Sequence, residues 1–218
     1  MAKKKPTSIT KVKPPTKTRK PKATGTVYQF KITLKGVKTP IWRRIQVTDC
    51  TLDKLHEHIQ TSMGWTNSHL HRFRIGDKQY GDPMLMEEDM EEYGYIDSTT
   101  TMLSEIVPKG GKRLRIEYEY DFGDGWQHEV LFEGCPPVDP KAKYPLCLEG
   151  ARACPPEDCG GVRGYDDFLK AIRDKHHEEH EEMLEWEGGW FDPEEFDPVT
   201  ATKSMRKGLP DWRSEESL

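Results

Sequence analysis

Between Arg113 and Glu119 the chain changes character at every residue. Leu114, Ile116, Tyr118 and Tyr120 alternate with Arg113, Arg115, Glu117 and Glu119. Successive side chains of a strand point to opposite faces, so this spacing predicts a strand with one apolar and one charged face. Asp121-Phe-Gly-Asp-Gly125 follows. Its aspartates and glycines are turn formers, and Trp126 to Glu133 then reads as the returning strand. A hairpin with this alternation commits the chain to an antiparallel sheet with one solvated face.

The remaining segments extend that sheet. Tyr28, Phe30, Ile32 and Leu34 alternate with polar residues, Gly36 marks a turn, and Ile41, Arg43, Ile45 and Val47 suggest a hairpin partner. Leu52, Leu55, Ile59 and Met63 have helical spacing, with Thr51 placed to cap the start and Gly64 to stop the end. His69 to Ile75 resembles a strand, but Leu70 and Phe73 cannot share one face of a regular strand. That conflict points to a bulge or a shifted boundary. Residues 81–100 are acidic and Met-rich with few periodic cues, and Leu103, Ile106 and Val107 suggest a short helical turn.

Tyr165, Phe168, Leu169 and Ile172 form an amphipathic helical pattern. Met183, Leu184 and Trp186 lie on an acidic helical segment ending at Gly188–Gly189. Phe-Asp-Pro then occurs twice between Phe191 and Pro198. In each copy Asp suits an N-cap and Pro the first helical position. The order predicts an α+β fold: a mainly antiparallel (mixed) sheet, one early helix packed on it in a β-grasp-like start, and C-terminal helices.

Charge divides the chain in two. Residues 1–25 hold eight Lys, one Arg and no acid. The total of −5 therefore leaves −14 on the rest. Four prolines and no apolar periodicity predict a disordered basic tail over 1–25, followed by a single domain over 26–218. A basic tail on an acidic body reaches for anionic partners such as nucleic acid, and the acidic body leaves a protein partner open. No apolar run is long enough to span a membrane and no apolar leader opens the chain. The expected compartment is the cytoplasm, where the five cysteines would be thiols or metal ligands.

Four constellations could carry chemistry. The loop Cys147 to Gly161 combines three cysteines, Pro155–Pro156, Glu157–Asp158 and Gly160–Gly161. Cys147, Cys154 and Cys159 are candidate zinc ligands, although only the last two approach the paired spacing of structural sites. Stiff prolines followed by permissive glycines also suit a rigid corner, with Glu157 and Asp158 near the Asp121–Trp126 turn. His176-His177-Glu178-Glu179-His180 contains the inverted zinc-peptidase spacing, but its acidic setting reads as a solvated helix face. Asp121, Asp124, Glu129 and His128 could line a cation site at the hairpin end, beside the turn chemistry the segment also supplies. His69 and His71 have the spacing of a strand ligand pair, with a structural role as the alternative.

Leu55 to Phe73, Tyr120 to Val130, Gly150 to Tyr165 and Phe191 to Asp197 together resemble the plasmid pRiA4b ORF-3-like domain family. The resemblance spans about Val27 to Leu209 and leaves the basic tail outside. It implies an α+β domain of bacteria and archaea, often encoded on plasmids or mobile elements. It implies no activity, and no recombinase machinery is visible. Two function classes stay open: a binding or adaptor module of mobile-element biology, and a metal-dependent, hydrolase-like enzyme using the Cys/Glu/Asp loop and nearby histidines.

Overall fold

The computed structural model describes residues 25–86 and 92–210. The tail expected at 1–25 falls, Gly25 apart, outside the described residues, as does part of the acidic Met-rich stretch. The described strands are β1 (Val27–Leu34), β2 (Trp42–Thr48), β3 (His71–Ile75), β4 (Lys78–Gly81), β5 (Ile96–Asp97), β6 (Leu114–Tyr120), β7 (Trp126–Gly134) and β8 (Leu146–Ala151). They form one sheet in the order β5-β4-β3-β6-β7-β1-β2-β8. Every pairing is antiparallel except β4 with β5, which makes the sheet mixed.

The alternation read in the sequence becomes the two faces. Phe30, Ile32, Ile45, Phe73, Ile116, Tyr118, Val130 and Phe132 are fully buried on one face. The other carries Arg72 with Glu119, Arg74 with Glu117, and Arg44 with Glu133. Such partly solvated cross-strand pairs contribute little each, about 0–1 kcal/mol, so the apolar face holds the fold.

Helix α1 (Leu52–Met63) packs on the buried face and completes the β-β-α-β opening. Thr51 caps it by accepting Lys54 N–H at 3.2 Å, and Gly64 ends it at φ 116. The buried guanidinium of Arg43 on β2 closes the C-terminal end. It donates to the carbonyls of Ser62 (2.8 Å) and Met63 (3.4 Å), which the helix leaves without partners, and to those of Trp42, Ala151 and Arg152. Phe196 covers it, with the guanidinium carbon 4.0 Å from the ring centroid.

The other helices lying wholly within the described residues are α2 (Leu103–Ile106), α3 (Gly161–Arg173), α4 (His180–Trp186) and α5 (Pro198–Lys207). Asp197 and Pro198 start α5 as expected, Asp197 accepting the N–H groups of Val199 and Thr200. The first Asp-Pro does not start a helix. Asp192 instead accepts Glu194 N–H at 2.9 Å in a tight turn. The His176–His180 motif is not a helical pair either, because α4 begins only at His180 and His180 Nδ1 lies 2.9 Å from the Ala171 carbonyl.

Candidate functional site

β3 begins at His71, two residues later than the alternation suggested. Leu70 is outside the strand, its carbonyl accepting Asp121 N–H at 2.8 Å, so the parity conflict with Phe73 disappears. His69 consequently leaves the sheet and lies over the end of the β6–β7 hairpin, where Asp121 opens the turn. Asp121 sits at φ 55, a left-handed conformation that Asp tolerates better than most residues. Its Oδ1 accepts Gly123 N–H (2.9 Å) and Asp124 N–H (3.3 Å).

The Cys/Pro loop docks onto this corner. Asp124 Oδ2 accepts Gly160 N–H at 3.1 Å. A Cβ on Gly161 would come within 2.4 Å of the Asp124 carbonyl oxygen, and Gly161 has φ 68, so glycine is needed there on both counts. Trp65 Nε1 donates to the Pro155 carbonyl at 3.0 Å. Glu157 accepts from Thr66 N–H (2.9 Å), Thr66 Oγ1 (3.1 Å) and the Tyr120 hydroxyl (3.0 and 3.1 Å). Burial, then the adjacent Glu157 charge, holds the Tyr120 hydroxyl well above its usual pKa, so it remains a donor.

Asp158, next in the chain and exposed, sits at φ 57. Its Oδ1 lies 3.0 Å from His69 Nε2, and Asp121 Oδ2 lies 3.7 Å from the same atom. His69 Nε2 is shielded from solvent yet makes no well-aligned hydrogen bond. Ligand atoms about 2.0–2.2 Å from one ion lie roughly 3–4 Å apart, so these separations suit a shared cation. Among the described residues, His69, Asp121 and Asp158 are the group whose ligand atoms all fall within 4.8 Å of one another. His69 also lines a cavity of about 440 Å³ with Thr66, Ser68 and Leu209.

The structure divides the sequence candidates. His69, Asp121 and Asp158 converge, Glu157 braces them, and Asp124 anchors the loop. His71 is buried and its ring stacks on His56 at 3.4 Å between centroids. His128 is fully buried, its Nδ1 3.1 Å from the Trp126 carbonyl, and burial lowers its pKa to about 3. Neither belongs to the cluster.

The cysteines stand apart from it. Cys147 lies on β8, where its backbone pairs with Thr202 Oγ1. Burial pushes the thiols of Cys147 to about 11 and Cys159 to about 12, and raises Cys154 strongly. Among the described residues, no cysteine sulfur joins the converging ligand atoms of His69, Asp121 and Asp158.

Sequence reading missed the polar layer beneath the site. His56 Nδ1 and Gln60 Nε2 meet the Tyr118 hydroxyl at 2.8 and 2.9 Å, while His56 Nε2 meets Asn67 Oδ1 at 2.7 Å. The available signal was a pair of polar residues four apart among the apolar positions of α1.

Comparisons with known proteins agree with this fold. Residues 26–200 match the family described as plasmid pRiA4b ORF-3-like protein. The uncharacterized protein y4hQ of Sinorhizobium fredii is 39% identical over 190 residues, covering 86% of this chain and 92% of that protein. A crystal structure of a protein of unknown function from Methanosarcina mazei Go1 is similar with a TM-score of 0.71 and 37% identity. That match covers 80% of this chain and 97% of the other.

Proposed function

The chain belongs to the plasmid pRiA4b ORF-3-like protein family, and on that footing we propose that it is a binding domain centred on a divalent cation held by His69, Asp121 and Asp158. The observation that carries this reading is the placement of both carboxylates within 3.7 Å of the solvent-shielded His69 Nε2. One imidazole and two carboxylates form a three-donor set suited to zinc or a similar divalent ion. Such a set leaves coordination positions for a ligand oxygen arriving from the neighbouring cavity. The family description supports an association with plasmids or other mobile elements. The nine basic residues of 1–25 support a weak, sequence-independent and salt-sensitive attraction to nucleic acid.

Protein purified without a histidine tag and dialysed against zinc tests the cation. The expected result is one equivalent per chain, lost in Asp158→Asn and retained in His177→Ala. Equal loading of the Asp158→Asn protein would overturn the assignment.

A hydrolytic reading shares the open coordination positions. Binding is favoured because the carboxylates nearest the cluster have structural partners: Glu157 holds Tyr120 and Thr66, and Asp124 holds Gly160. A general base needs a carboxylate within hydrogen-bond reach of the water it activates. Zinc-dependent turnover of bis(p-nitrophenyl) phosphate, lost in Asp158→Asn, would favour the enzyme.

A further inference from the structure

A second concave site, to which the cation cluster contributes no residue, lies between the β1–β2 turn, helix α3 and the Pro193–Glu194 turn. It encloses about 320 Å³, the small end of the range of about 300–1,000 Å³ usual for ligand pockets. Val37, Ile41, Val162, Tyr165 and Leu169 give it an apolar lining. The turn packs directly on that lining: a Cβ on Gly36 would come within 2.9 Å of Val162 Cγ2.

Its charged groups are unequal. Lys38, Arg152, Arg163 and Arg173 face Asp166 and Glu194. Both carboxylates are engaged, Asp166 by Lys38 at 2.7 Å and Lys170 at 3.2 Å, and Glu194 by Arg152 at 3.0 Å. Among the described residues, neither the Arg163 nor the Arg173 side chain makes a hydrogen bond or ion pair. Val162, Asp166, Leu169 and Arg173 follow the i, i+4, i+7, i+11 spacing of one helix stripe. Arg163, in the first turn, lies about 15 Å from Arg173 by helical rise, so the two do not grip one small anion together.

We propose that this pocket binds a small amphipathic monocarboxylate, its aromatic or branched body on the Val162–Leu169 lining and its carboxylate on the guanidinium of Arg173. A guanidinium matches a carboxylate with two parallel N–H···O bonds, which a neutral group of the same shape cannot accept equally well. Arg163 adds attraction without contact. Arg152, held at φ 70 while its guanidinium bonds Glu194 and the Pro40 carbonyl, fixes the far wall. The inference is independent of the cation site.

Titration of 2-naphthoate into isotopically labelled full-length protein, followed by amide chemical shifts, tests it. The expected result is saturable binding with the largest shifts at Val37, Val162 and Leu169. Affinity falls at least tenfold for neutral 2-naphthamide and for Arg173→Gln, and stays within twofold for Lys175→Gln, which removes the same charge from the exposed chain beyond α3. Absence of saturation at millimolar 2-naphthoate, equal affinity for the amide, or an unchanged Arg173→Gln would each overturn it.

Discussion

The Tyr120 hydroxyl donates to the carboxylate of Glu157, 3.0 and 3.1 Å from its two oxygens. The same hydroxyl oxygen accepts Ser68 N–H at 3.0 Å. One phenol at the end of β6 thereby fixes both the segment carrying His69 and the loop carrying Asp158. The ring is fully buried and packs against Trp65 at 4.9 Å between centroids, so the oxygen is held on a rigid post.

Tyr120→Phe keeps that ring and removes only the post's polar end. It leaves the part-buried Ser68 N–H and Glu157 each short of a partner, at an expected cost of about 1–3 kcal/mol. Urea unfolding measures it. Because both changes break one contact, Tyr120→Phe and Glu157→Ala should be non-additive by about 0.5 kcal/mol or more. Strict additivity would show that the hydroxyl and the carboxylate do not act together.

Arg43 supplies donors to five carbonyls from β2, the end of α1, the last residue of β8 and Arg152 just after it. Arg43→Met strands these acceptors in the interior and should cost about 3 kcal/mol or more, at roughly 1–3 kcal/mol per unsatisfied buried group. Arg43→Lys should recover only part of that, since a single ammonium cannot reproduce the planar fork. Thermal melts showing full rescue by lysine would mean that charge alone is required there.

Acid should weaken the fold through two buried histidines. Burial lowers His58 to about 4 and His128 to about 3, against a usual value near 6.5. Between those values the unfolded chain binds protons that the folded chain excludes. Their stabilisation is therefore complete above about pH 6.5 and is lost as pH falls towards 4 and then 3. Together they take up to two more protons in the unfolded chain, a limiting slope of roughly 3 kcal/mol per pH unit near pH 5. His58→Gln should remove about half of that slope in urea denaturation between pH 6 and 4.5. An unchanged slope would assign the acid sensitivity to other groups.

Local physics made much of the fold readable. Alternation gave β1, β2, β6 and β7, and Thr51 and Gly64 marked both ends of α1, because each signal acts within a few residues. His69 was misplaced onto a strand because its position depends on Leu70 pairing with Asp121, a contact far away in sequence. Asp192 has the same neighbours as Asp197 but starts no helix, because the chain after it turns and the Pro193 carbonyl accepts Ala153 N–H. The approach of Glu157 and Asp158 to the hairpin was foreseeable from stiff prolines beside permissive glycines. Their division of labour was not, since it depends on which oxygen meets Tyr120 and which meets His69.

Gly161→Ala should disturb the same corner from the backbone side. Its methyl group would meet the Asp124 carbonyl at 2.4 Å, at a residue already at φ 68. The expected loss is about 1–3 kcal/mol, the cost of a non-glycine residue held in a sparsely populated conformation, with a parallel loss of cation affinity. Melting temperatures with and without zinc would show both effects. An alanine variant equal to the parent in each would mean that the loop is not seated on the turn.

The most direct test of the cation site is an anomalous difference map at the zinc edge, from crystals of the untagged protein grown with zinc. The predicted result is one strong peak about 2.0–2.2 Å from His69 Nε2 and from a carboxylate oxygen of both Asp121 and Asp158. A zinc peak confined to Cys147, Cys154 and Cys159 or to His176 and His177, or a map with no peak at His69, would contradict the account.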